Sequence, residues 1–330
     1  MWSCDTLLFR LAAGRAMPES LTLADSVGML LAVVLVVAVG LALGLLVAAV
    51  DRVVLNGGRL GGAVDPVRSA LRALIEQRRT TLAPDRLLGR IGAGAVLVLA
   101  LLSVAVIPLT GRSLVSTSAD IVWFNAAEAL LWAAVWLVGW APNAVHPLVG
   151  GYRFLAQGLA YELPLMFTLI TTAVAARSLR TTDIVAAQAD LWFIVSMPLA
   201  FAVFLASGAA FAFWGPFAAP AGADIAGGVL AELSGPDRLL VETGRAVFLG
   251  ATAAMATTLF LGGHTGPVLP GPVWFLLKTA AVVVLVVVTG RRLPLIRPDR
   301  FVEVAWMVLV PLTLLQALVV AVLAVNGFYP

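Results

Sequence analysis

The run Val27–Val50, VGMLLAVVLVVAVGLALGLLVAAV, has no ionisable side chain in 24 residues. A bilayer's hydrocarbon core is about 30 Å thick, and a helix rises about 1.5 Å per residue, so about 20 apolar residues cross it. Working outward from this run, the same pattern recurs at Leu88–Thr110, Ile121–Trp140, Pro147–Val174, Leu191–Phe213, Leu239–Gly263, Val273–Thr289 and Val302–Val325. With 61% hydrophobic and 12% charged residues, the composition excludes a soluble globule. In lipid the backbone must satisfy its own hydrogen bonds, which points to helices. The fold class is therefore all-α: a polytopic integral membrane protein with about eight transmembrane helices.

Residues 1–26 read as an N-terminal extension, with Met17 as an alternative start, and residues 326–330 as a C-terminal tail. Residues 27–325 form a single transmembrane domain with cytoplasmic loops 51–87 and 214–238. Within the first loop, Asp65–Arg79 (DPVRSALRALIEQRR) places Val67, Leu71, Leu74 and Ile75 on one helical face. Arg68, Arg72, Glu76 and Arg79 fall on another, the pattern of an amphipathic helix lying along the membrane surface.

Basic residues set the orientation. The first, fifth and seventh loops hold thirteen Arg, namely 52, 59, 68, 72, 78, 79, 86, 90, 238, 291, 292, 297 and 300. The opposite side has five, at 10, 15, 112, 177 and 180. The positive-inside rule then places the odd loops in the cytoplasm and both termini outside. Acidic lipid headgroups are the partner such a surface suits, and no aromatic-basic face for nucleic acid is present. Cys4 is the single cysteine, and His146 and His264 stand far apart, so no metal site is expected.

Charges inside lipid cost several kcal/mol unless paired or hydrated, so each is a functional candidate. Six qualify: Glu128, Arg153, Glu162, Glu242, Arg245 and Lys278. Glu162 precedes Pro164, which removes a main-chain donor and can open a helix to water. A proton-relay carboxylate is the functional reading; a structural Glu bonded to a neighbouring helix is the plain one. Arg153, Gln157 and Tyr161 share a face as a polar track. Glu162 lies nine steps of about 100° from Arg153, on the opposite side. Glu242 and Arg245 are spaced to neutralise one another. Lys278 is either a further relay station or an anchor.

Gly139–Pro164, GWAPNAVHPLVGGYRFLAQGLAYELP, resembles the signature of the H subunit of bacterial NADH–quinone oxidoreductase, the complex I subunit 1 family. DIVAAQ (Asp183–Gln188), TTLFLGG (Thr257–Gly263) and WFLLK (Trp274–Lys278) are similar to further family segments in the same order, over roughly residues 27–325. The resemblance implies a membrane subunit of a proton-translocating NADH–quinone oxidoreductase in a bacterial plasma membrane. This translocase passes electrons from NADH to quinone and couples that to proton transport. The chain would help enclose the quinone, which is a substrate. Flavin and iron–sulfur clusters would sit in partner subunits, alongside other membrane-arm and quinone-site subunits, so no complete active site lies in this chain alone. By the same resemblance, Glu162, Arg153, Gln157, Tyr161 and Lys278 would form the proton-coupling path. Arg59, Glu232, Asp224 and Phe217 would line the quinone chamber.

The chain departs from that pattern between spans five and six. Where the family has Glu-Thr-Asn-Arg-x-Pro-Phe-Asp, this sequence has FAFWGPFA (Phe211–Ala218), with Ala218 in place of the Asp. Arg245 stands where a Glu is usual, Met307 where a Lys is usual, and Glu128 has no counterpart. The alternatives are a membrane anchor of a related hydrogenase or ferredoxin-linked complex, where quinone is absent, and a non-catalytic assembly scaffold.

Overall fold

The computed structural model describes residues 23–111 and 113–329; Cys4, Arg10, Arg15, Met17 and Arg112 fall outside them. The chain divides into a leading unit ending at Leu35 and a second from Val36 onward, and the packing and sites below belong to the second. Helices run in the order α1 (Leu23–Leu55), α2 (Asp65–Ile75), α3 (Arg86–Ala105), α4 (Asp120–Trp140), α5 (Val145–Ala176), α6 (Thr181–Ala186), α7 (Phe193–Ser196), α8 (Pro198–Phe211), α9 (Gly235–Phe260), α10 (Gly271–Arg292), α11 (Pro298–Val304) and α12 (Val310–Val325). Among the described residues, seven helical segments are long and apolar enough to cross a membrane, α11 and α12 counting as one.

The fifth span differs from its sequence reading. Leu191–Phe213 is not one helix: Pro198 interrupts it, and Met197 is non-helical at φ −138°, ψ 59°. Proline lacks an N–H and disfavours helix in the residue before it. What remains, α8, has 14 residues. At 1.5 Å per residue that is about 21 Å, short of the roughly 30 Å hydrocarbon core. Both ends are closed by side chains from other helices. Gln316 of α12 accepts from Ala200 N–H at 2.7 Å. Arg245 of α9 donates to the carbonyls of Ala212 (3.1 Å) and Phe213 (2.7 Å). Lipid offers no water for loose backbone groups, so a broken helix persists there only with such partners.

The last span has a comparable defect, resolved differently. Between α11 and α12 the residues Ala305–Leu309 form a π-helical turn ahead of Pro311, and the wider turn absorbs the missing donor without ending the helix.

α5 is the central helix, packing against α4, α8 and α12. It approaches α4 closely at Gly139 and Gly151, where a Cβ on Gly139 would stand 2.6 Å from the carbonyl oxygen of Pro147 and 3.1 Å from Gly151 Cα. Small residues let helices in lipid pack backbone to backbone. The segment 214–234 folds as four short 3-10 turns, the first against α8 and α10 and the other three laid on α5, with Pro216, Phe217, Pro220 and Val229 buried.

Loops segregate to two ends. At one, Arg78 pairs with Asp237 (3.5 Å), Arg79 N–H donates to Ser234 (2.7 Å), and Thr81 donates to Pro142 O (2.6 Å). At the other, Asp120 accepts from Thr117 and Thr181, and Arg177 donates to Ala324 O at 2.9 Å. The first, third and fifth loops thus share one end, as the charge pattern implies. α2 lies at that end with Leu71, Leu74 and Ile75 exposed, while its small residues Ser69, Ala70 and Ala73 turn toward the bundle.

Candidate functional site

Two features of the bundle are candidates for chemistry: a buried carboxylate cluster between α4 and α5, and a cavity at the basic end.

In the cluster, Glu128 of α4 is fully buried. Tyr161 and Glu162 of α5 lie close enough to interact with its carboxyl group. Neither Glu128 oxygen, however, has a partner in hydrogen-bond geometry. Asn125, one turn before Glu128, donates to Glu162 Oε1 at 3.2 Å, and Trp132 Nε1 donates to the Tyr161 hydroxyl at 3.2 Å. Neither carboxylate joins an ion pair among the described residues. In the sequence Glu162 is a carboxylate without an acidic neighbour; the structure gives it one, and Glu128 is the more deeply buried of the two. Beyond Asp120, Asn125 and Glu128, α4 is apolar on every side, so its hydrophobic pattern does not say which face turns inward.

The cavity has a volume of about 840 Å³. α1 supplies Leu41, Leu45, Ala48, Asp51 and Arg52, and α2 supplies Ser69 and Ala70. The Phe213–Ala218 turn, Glu242, Thr243 and Arg245 of α9, and Gly290 and Arg291 of α10 complete the wall. Its carboxylates are both engaged. Asp51 takes a two-pronged bond from Arg291 (2.7 and 2.6 Å), and Glu242 pairs with Arg238 at 2.8 Å. The expected Glu242–Arg245 pair does not form. Arg245 instead reaches the end of α8 and stacks on Phe213, 3.9 Å from the ring centre. An i, i+4 carboxylate–guanidinium pair was open to Glu242 through Arg238, and unpaired helix-end carbonyls drew Arg245 away.

A family model described as NADH dehydrogenase matches residues 24–321. This chain belongs to that family. Similar proteins include the NADH-quinone oxidoreductase H subunit of Geobacillus kaustophilus, 35% identical over 273 residues, covering 81% of each chain. The H subunit numbered 2 of Geobacter sulfurreducens is 35% identical over 78% of this chain and 82% of its own. Its namesake from Cereibacter sphaeroides (strain ATCC 17029) is 43% identical over 59% and 62%. All three carry the quinone oxidoreductase name, which favours neither the hydrogenase anchor nor the scaffold.

Among the family-signature residues, Arg153 pairs with Asp224 at 2.6 Å and reaches the carbonyl of Ala219 at 3.3 Å, clamping the fifth loop onto α5. Gln157 donates to Ala210 O at 2.6 Å, tying α5 to α8. Tyr161 alone of that face joins the carboxylate cluster. Lys278 donates to the carbonyls of Leu261 (2.6 Å), Gly263 (3.2 Å) and Thr265 (2.7 Å) and sits over Trp192. That is an anchor's geometry, using all three ammonium protons. Gln188 of the DIVAAQ segment makes four bonds, to Ile184 O, Thr258 O, Phe193 N–H and Gly262 N–H.

The residues implied for a quinone chamber do not line the cavity. Arg59 and Glu232 are exposed, Asp224 is spent on Arg153, and Phe217 is buried against Phe301, ring centres 4.8 Å apart. Ala218, in the place of the family's Asp, does line it. Asp51, Arg52, Thr243 and Arg291 were missed because their partners and neighbours come from distant helices.

Proposed function

We propose that this chain is a membrane subunit of an NADH–quinone oxidoreductase, that its cavity receives the quinone headgroup, and that the Glu128–Glu162 cluster couples quinone chemistry to proton transfer. The observation that carries the reading is the cavity. Its volume falls in the range of small-molecule sites, and its wall joins the apolar flank of α1 to a few polar groups at the basic, positive-inside end. That end is cytoplasmic, both termini lie outside, and the odd loops face the other subunits of the complex. Flavin and iron–sulfur chemistry belongs to those partners, and this chain's residues bind, orient and relay.

The coupling step follows from charge. Two neighbouring carboxyl groups with no cation paired to either can each carry a proton, so the pair offers adjacent stations for a proton moving through the bundle when a neighbouring charge changes. Tyr161, held by Trp132, links the pair to the side of α5 that faces α8 and the fifth loop.

A quinone bearing a photoreactive headgroup tests the site in native membranes. Labelling of cavity-wall segments around Ala70 and Thr243, suppressed by excess quinone, is the expected result. Competable labelling confined to segments away from that wall would remove the cavity from the reading.

A further inference from the structure

Arg245 combines a fixed direction with unused hydrogen-bonding capacity that runs one way only. A guanidinium carries five N–H donors and no acceptor. Nε and Nη2 serve the carbonyls of Ala212 and Phe213, and Nη1 has no partner among the described residues. The group cannot swing freely, because its plane is stacked on Phe213 and pinned by both carbonyls. It remains half-buried rather than sealed, on the cavity wall beside Thr243.

The other polar groups of the wall do not offer the same contact. Asp51 is taken up by Arg291 and Glu242 by Arg238; Arg291 also keeps an Nη1 with no partner among the described residues, but Asp51 offsets its charge and its side chain is 41% exposed at the cavity's edge. Arg52 is exposed at the rim, with no ring or carbonyl to hold its plane. The indole N–H of Trp214 is buried, in a ring packed on Gly290. Ser69 and Thr243 hydroxyls both donate and accept, so they cannot tell an acceptor from a donor. Arg245 only donates. An oxidised quinone presents two carbonyl oxygens, which accept more strongly than the hydroxyl oxygens of a quinol, and the quinol's own O–H groups find no acceptor in a guanidinium.

Resting on the reading of this cavity as the quinone site, we propose that Arg245 binds the quinone headgroup through its Nη1 edge and selects the oxidised form over the quinol. Substrate is then held and product let go by the same group. Its permanent charge keeps the contact the same at every physiological pH.

The test uses the intact complex in native membranes, measuring quinone KM, kcat and inhibition by quinol. Losing one charge-assisted hydrogen bond should raise KM about tenfold to a hundredfold in Arg245→Met. Turnover at saturation and quinol inhibition should stay near parental values. An unchanged KM, or an equal loss for quinone and quinol, overturns the proposal. If Arg245→Met fails to accumulate assembled complex, Arg245→Lys decides: two of its three N–H groups can still cap the carbonyls, but the third is not held in the plane that fixes the Nη1 edge. KM should rise again, and a parental KM in Arg245→Lys overturns the proposal. Ala48→Trp separates the two readings. If this wall-filling variant reduces quinone at parental KM, the cavity is not the site. If it blocks quinone while the Arg245 variants behave as parental, only the role of Arg245 fails.

Discussion

Asp51 near the end of α1 and Arg291 near the end of α10 form a two-pronged ion pair at 2.7 and 2.6 Å, joining the first long helix to the seventh loop at the cavity's edge. Asp51 is 8% exposed, while the Arg291 side chain keeps 41% of its surface, so the pair is half wet. Breaking a fully buried pair costs about 3–5 kcal/mol and an exposed one under about 1, which sets this one between them. Asp51→Asn and Arg291→Met should each lower the unfolding temperature of the solubilised complex. The double variant should lose less than the sum of the two. Strict additivity in that cycle would mean the pair contributes nothing.

Glu128→Gln and Glu162→Gln remove titration while keeping shape. Both variants should assemble, reduce quinone and translocate fewer protons per electron pair, as read from acidification by membrane vesicles. On the proposal that the two act as one unit, the double variant should be little worse than either single one. Full pumping in Glu162→Gln would take it out of the mechanism, and a far larger loss in the double variant would mean that they work separately.

Lys278 separates anchor from relay. Arg keeps a charge able to reach carbonyls and does not give up its proton. If the residue is an anchor, Lys278→Arg should assemble and pump normally, whereas Lys278→Met should assemble poorly, with three carbonyls left without a donor. Normal assembly with impaired pumping in Lys278→Arg would make it a relay.

Gln316→Leu leaves Ala200 N–H without an acceptor at the start of α8. An unsatisfied buried donor costs about 1–3 kcal/mol. The variant should melt at lower temperature than the parent, and Gln316→Glu should restore most of the loss. Equal stability of Leu and Gln at this position would show that the end of α8 finds another partner.

The spans were legible because lipid demands long apolar runs, and those runs leave no other use for the chain. Met197–Pro198 was a visible break, yet the surrounding apolar stretch Leu191–Phe213 outweighed it. The basic end was legible too, from thirteen Arg on one set of loops. Pairings were not. Arg153 with Asp224, Asp51 with Arg291 and Arg245 with the end of α8 each join distant segments, and only the fold brings them together. Glu128 was undervalued for the same reason: its meaning depends on which side of a uniformly apolar helix meets α5. The loss of acidic residues from the fifth loop was read from sequence. That Ala218 stands on the cavity wall was not.

A helix of about 21 Å in a hydrocarbon layer of about 30 Å forces the bilayer or the protein to make up the difference. Were water to reach the polar caps at both ends of α8, the two aqueous phases would stand closer there than elsewhere. The membrane voltage, worth about 2.3 kcal/mol per charge at 100 mV, would then be dropped over a thinner insulator. An ion displaced a few ångströms along this stretch would cross a larger share of the field than the same step beside a full-length helix.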